Sequence, residues 1–121
     1  MKYNSKITGW GNEALGFLKE LNYLIIFNDN APKELAEISV LHEKSKLNGD
    51  IERGDTLIIG EKAFEITAVG EEARNTFNQL GHATLNFSGG DEPFLPGHIM
   101  LYGEDALTEE DIQKGISISI F

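Results

Sequence analysis

The 121-residue chain contains no cysteine. Disulfide staples, thiolate nucleophiles and zinc–thiolate sites are therefore excluded, and such a composition suits a reducing cytosol. Basic residues are scarce as well: 10 lysines and arginines stand against 20 acids, a formal charge of -10. A chain this acidic lacks the cationic footprint of a nucleic-acid binder, which leaves proteins or small molecules as the expected partners. Long apolar runs are missing too. The longest, Tyr23-Leu24-Ile25-Ile26-Phe27, falls far short of the ~20 residues that cross a bilayer. The opening Met1 to Lys6 has no apolar h-region, so no signal peptide is expected. There is no linker, internal repeat or low-complexity tract, and the length predicts one domain over residues 1–121.

What is present is a short apolar segment of period two, recurring between Gly, Asn, Asp or Pro. Strands are expected at Tyr3 to Thr8, Tyr23 to Asn28, Ile38 to His42, Thr56 to Ile59, Ala63 to Val69, His82 to Phe87, His98 to Tyr102 and Gly115 to Phe121. Gly60-Glu61-Lys62 reads as a hairpin connection. Phe64, Ile66 and Ala68 fall on one face of their strand; Ala83, Leu85 and Phe87 fall on one face of theirs. Two short helices are expected. One starts after Asn30-Ala31-Pro32; the other runs from Glu71 to Leu80 and stops at Gly81, a natural left-handed terminus. Thr108 to Asp111 resembles a capping box with room for one turn. The fold class is mostly β: a barrel or sandwich with helical caps.

Charge is uneven along the chain. Residues 1–60 hold nine acids and seven bases, residues 61–121 eleven acids and three bases, and five acids cluster between Glu104 and Asp111. Such a stretch is either a solubilising skin or a docking face for a basic partner.

Without cysteine, chemistry falls to three histidines, the carboxylates and the hydroxyls. No Gly-x-Ser-x-Gly elbow is present, no Walker lysine follows Ser88-Gly89-Gly90, and Asp50, Glu52 and Asp55 lack the order of a calcium loop. His42 ends an apolar strand, where one ring nitrogen can be anchored while the other stays available. His82 follows a helix-terminating glycine and shares a strand face with Thr84; His98 follows Pro96-Gly97 in a turn. No His-x-His or His-x-x-x-His spacing occurs, so no metal site is expected. Each histidine is otherwise an ordinary rim or structural residue.

Leu80-Gly81-His82-Ala83-Thr84-Leu85-Asn86-Phe87-Ser88-Gly89 resembles the Leu-Gly-His-x-Thr-Leu-x-Phe-x-Gly run of the glucitol/sorbitol-specific IIA components of the bacterial sugar phosphotransferase system. Ala31-Pro32, Val40-Leu41-His42, Arg53-Gly54-Asp55, Ile66-Thr67-Ala68-Val69-Gly70 and Phe94-Leu95-Pro96-Gly97 agree in order and spacing. The resemblance covers about Tyr23 to Phe121. It implies a small closed β-barrel of complex topology and a phosphotransferase system component working through a phosphohistidine, without cofactor or metal. The implied donor is the phosphocarrier HPr and the implied acceptor the IIB component of a sorbitol permease, so the membrane is met only through the permease, from the cytoplasm. The family's phosphorylated histidine maps onto His42; where some relatives carry a second histidine, this chain has Lys44.

On that basis His42 is expected to attack through Nε2, with Nδ1–H donating to a backbone carbonyl or carboxylate. His82 and Thr84 are its candidate partners. Lys44, Lys46 and Arg53 are candidates for charge near the phosphate, and Ser45 for a hydroxyl. Two other readings stand beside the relay: a small acidic binding or regulatory module that carries no phosphate, and a cupin-like metal enzyme using His42, His82 and His98. The isoleucine-rich terminal strand could pair across a homodimer.

Overall fold

A strand of alternating side chains can bury one face, and in this chain eight such strands bury theirs against one another by closing a ring. The computed structural model, which describes residues 1–121, contains β1 (Tyr3–Trp10), α1 (Ala14–Leu21), β2 (Tyr23–Asn28), α2 (Lys33–Ala36), β3 (Val40–His42), β4 (Thr56–Ile59), β5 (Lys62–Val69), α3 (Glu71–Leu80), β6 (Ala83–Asn86), β7 (His98–Tyr102), a 3-10 turn at Glu109–Asp111, and β8 (Ser117–Ile120). The strands form a closed barrel in the order β1-β3-β2-β6-β7-β5-β4-β8. The β2–β3 and β6–β7 pairs are parallel; the other pairs are antiparallel. The mostly β class and the closed barrel are thus as expected. No helix is long and apolar enough to cross a membrane.

The period-two pattern decides what lies inside. Tyr3, Ser5 and Ile7 of β1 alternate with exposed residues, and Phe64, Ile66 and Ala68 of β5 with exposed or half-buried ones. Leu24, Ile26 and Asn28 supply the inner face of β2, and Ile118 and Ile120 that of β8. Gly60, with φ of 61°, starts the two-residue turn between β4 and β5, as the hairpin reading anticipated.

Helix α3 closes one end of the barrel. It buries Ala73 and Phe77, and the Phe77 ring meets the Tyr3 ring edge-on at 4.8 Å. The helix stops at Gly81, whose φ of 59° is left-handed and whose N–H donates to the Phe77 carbonyl. The Thr108–Asp111 capping box is present on the 3-10 turn.

Two features depart from the sequence reading. Helix α1 was not expected: its N-cap, Glu13, makes no side-chain capping bond and Gly16 sits in its interior, so the usual start signal is missing although most of its residues are good helix formers. It forms because Ala14 and Leu18 are buried. The terminal strand also differs from the dimer expectation. β8 is paired with β1 on one side and β4 on the other, which leaves no free edge for a second copy.

Closure therefore hangs on β8, where Ile120 is fully buried opposite Tyr3 and Leu57. Replacing Ile120 with Ala should lower unfolding stability by about 2–5 kcal/mol. Urea titration followed by circular dichroism reads the change.

Candidate functional site

His42 is the last residue of β3, in register with Ile7 of β1 and Asn28 of β2. Those neighbours face inward, so its ring lies inside the barrel at the end covered by α3. It has no solvent exposure, 0%. The ring is nonetheless surrounded by polar atoms. Nε2 lies 2.8 Å from the Gly81 carbonyl. Nδ1 lies 3.1 Å from Ser5 Oγ, 3.2 Å from the Tyr3 hydroxyl and 3.2 Å from the Glu43 carbonyl. A carbonyl can only accept, so the short contact places the ring proton on Nε2. Ser5 Oγ donates to the Glu43 carbonyl at 2.6 Å, which leaves the Tyr3 hydroxyl as the donor to Nδ1.

The anchored nitrogen is thus Nε2, the reverse of the arrangement expected from the sequence. The reason is Gly81. Its left-handed backbone turns the chain directly over the imidazole: a Cβ there would lie 2.1 Å from Asn28 Oδ1 and 2.8 Å from His42 Cε1. Only glycine fits. Asn28 Oδ1 is buried beside this contact with no hydrogen-bond partner.

The other expected site residues are dispersed. His82 donates from Nδ1 to the Ile26 carbonyl at 3.1 Å, and its half-buried ring rests on Phe27 at 4.7 Å. Phe27 projects from the face of β2 opposite to Ile26 and Asn28, so His82 and His42 flank that strand and are linked through the Gly81 backbone. Thr84 is aligned with Ile25 and His98 rather than with His42. Lys44, Lys46 and Arg53 are exposed, and Ser45 Oγ donates to the Asn4 carbonyl. None of the four is hydrogen-bonded to His42. His98 pairs with Asn86, so the three histidines have separate partners and do not converge as a metal centre would require. Tyr3, Ser5, Asn28 and the Gly81 carbonyl, which do surround the ring, were not singled out from sequence. Alternation in Tyr3-Asn4-Ser5-Lys6-Ile7 was the one available signal.

A model of the family described as "PTS system glucitol/sorbitol-specific IIA component" matches residues 2–119. The chain belongs to that family. Glucitol/sorbitol-specific EIIA components of Escherichia coli (strain K12) and Shigella flexneri are each 34% identical to it over 113 residues, covering 93% of this chain and 89% of theirs. The crystal structure of a PTS system IIA component from Enterococcus faecalis V583 shares the fold, with a TM-score of 0.78, 23% identity, and coverage of 97% of this chain and 98% of that one. The family match takes in β1, which supplies Tyr3 and Ser5 to the His42 site.

In this IIA component, burial pushes the His42 pKa below its ordinary 6.5; the Gly81 and Glu43 carbonyls and the charge of Asp29 oppose that effect without cancelling it. The ring is held neutral near pH 7. Burial likewise raises the Tyr3 phenol and lowers His98. A base whose folded pKa is depressed binds fewer protons folded than unfolded, so stability is lost as pH falls below 6.5 and the unfolded chain protonates first. Unfolding free energy should therefore decrease between pH 7 and pH 5, and the slope should be flatter in His42→Gln. Urea midpoints at half-unit pH steps check this.

Proposed function

We propose that this IIA component takes a phosphoryl group from phosphorylated HPr onto His42 and passes it to the IIB component of a sorbitol/glucitol permease, working in the cytoplasm beside the membrane-bound permease. The observation that carries the reading is an imidazole kept neutral by burial, with both nitrogens facing hydrogen-bonding atoms and no carboxylate on either. Phosphoryl transfer asks mainly for a positioned, uncharged nucleophile and for partners to the equatorial oxygens.

The ring is covered at rest, so transfer begins with displacement of the Gly81 carbonyl from Nε2. The uncovered Nε2 gives its proton to solvent while Nδ1 gains one, the Tyr3 hydroxyl turns from donor to acceptor, and the Glu43 carbonyl, 3.2 Å from Nδ1, accepts the new hydrogen bond. Bare Nε2 attacks phosphorus as the P–N bond to the donor's histidine breaks, and the donor ring recovers its lone pair. The second transfer reverses these roles with IIB as acceptor. The Asn28 amide, rotated to present its NH₂, is an available partner for a phosphoryl oxygen beside the ring. His82 and Thr84, on or near the outer face of β2, enter only through contacts to the docked phosphoryl donor.

Complete burial of His42 favours one other reading, an acidic binding or regulatory barrel that never carries phosphate. Intact-mass measurement after incubation with phosphoenolpyruvate, enzyme I and HPr separates the two. The wild-type chain should gain one phosphate, labile to acid and stable to base, and His42→Gln should gain none while keeping its fold. No gain in wild type supports the binding barrel; retained label in His42→Gln overturns the residue assignment. An unchanged transfer rate in His82→Ala would assign that ring to structure alone.

A further inference from the structure

The carbonyl that covers His42 Nε2 is half of a peptide unit whose other half is the His82 N–H. A trans peptide is planar, so the two groups point in opposite directions and move as one plate. No cis peptide bond occurs in the chain. One edge of the plate rests on His42, with the Gly81 oxygen 2.8 Å from Nε2. The other edge rests on α3, where the His82 N–H donates to the Thr76 carbonyl at 3.3 Å. The cap cannot turn off the imidazole without leaving Thr76 as well.

Thr76 holds the next peptide unit too. Its hydroxyl donates to the His82 carbonyl at 2.7 Å. A helical threonine ordinarily returns its hydroxyl to a carbonyl one turn back, but here that contact, to Ala73, is stretched to 3.5 Å. The hydroxyl is committed forward instead, past the end of its own helix. One residue of α3 thus grips both main-chain polar groups of His82. The His82 ring adds a third hold, from Nδ1–H to the Ile26 carbonyl at 3.1 Å.

Gly81 supplies a hinge on the other side of the plate. Its φ is 59° and its ψ 26°. A large change in ψ at that φ leads into a region essentially confined to glycine, so rotation of the plate is open here and closed to residues with a Cβ. The turn is within reach of solvent: Leu80, just before it, is 43% exposed, and His82, just after it, is half-buried.

We propose that the Gly81–His82 peptide unit is a gate over the acceptor nitrogen, hinged at Gly81, and that Thr76 is its latch, a positioning residue that acts on His42 only through that unit. Closed, the gate occupies Nε2 with a carbonyl; open, it leaves Nε2 free for phosphorus. Thr76 thereby sets how often the bare ring is presented. The consequence for phosphoryl transfer rests on the relay reading, whereas the gate belongs to the unphosphorylated chain and is measured there.

Solvent exchange of the His42 Nε2–H, followed by saturation transfer in histidine-labelled protein, reports gate opening. In wild type its rate should not change with sub-denaturing urea, since a local opening exposes little surface, while amide exchange at Leu24 and Ile66 in the barrel strands accelerates. Thr76→Val keeps the side-chain shape and removes the donor; Thr76→Ser keeps the donor. The valine variant should exchange about fivefold faster, as loss of one neutral hydrogen bond implies, and the serine variant should match wild type. A Nε2–H rate that rises with urea alongside the strand amides would overturn the gate, because exchange would then require unfolding. A valine variant within twofold of wild type, or a serine variant as fast as the valine one, would overturn the latch. Absence of phosphate on His42 would leave these rates untouched, so the gate and the relay fail separately. With the relay working, transfer from phosphorylated HPr below saturation should quicken in Thr76→Val; slower transfer would overturn the gate's part in it.

Discussion

A polar ring inside an apolar barrel is tolerated only when its nitrogens are met, because an unpartnered buried polar group costs about 1–3 kcal/mol. For His42 that condition is fulfilled by the 2.8 Å bond from Nε2 to the Gly81 carbonyl and by the Tyr3 hydroxyl, which donates to Nδ1 at 3.2 Å. Much of the surrounding structure serves this arrangement. β1 must pair with β3 for Tyr3 and Ser5 to arrive, α3 must end where it does for Gly81 to turn over the ring, and Gly81 must lack a side chain. The same bond keeps the proposed nucleophile anchored and covered at rest, while burial keeps it neutral.

The strands were readable because burial on one face writes a period of two into the sequence. Tyr23–Asn28, Thr56–Ile59 and His98–Tyr102 match to the residue, and the Gly81 stop of α3 follows from its left-handed φ of 59°. Helix α1 was hidden because no side-chain cap marks its start and Gly16 interrupts its otherwise helix-favouring residues; burial of Ala14 and Leu18 holds it in place. The site was legible in part. His42 stood out as a strand-end histidine. Its surroundings did not, because Tyr3, Ser5 and Gly81 are 37 to 39 residues away in sequence and only barrel closure unites them. Proximity in sequence misled in the other direction: Lys44, Ser45 and Lys46 follow His42 closely, yet the chain leaves the barrel there and they face solvent.

The charge of -10 takes on a definite place in this picture. No carboxylate is hydrogen-bonded to His42, and of the acids only the charge of Asp29 is felt at the ring. The excess acid lies on the surface, densest between Glu104 and Asp111.

The central claim is that a neutral His42, protonated on Nε2 at rest, is the phosphoryl acceptor. Long-range proton–nitrogen correlation spectra of histidine-labelled protein, recorded at pH 7 before and after phosphorylation by HPr, test it most directly. The account predicts a neutral Nε2–H ring for His42 beforehand, and afterwards a phosphorus-coupled Nε2 with the proton on Nδ1. A charged His42 at rest, or phosphorus coupling on His82 or His98 instead, would contradict it.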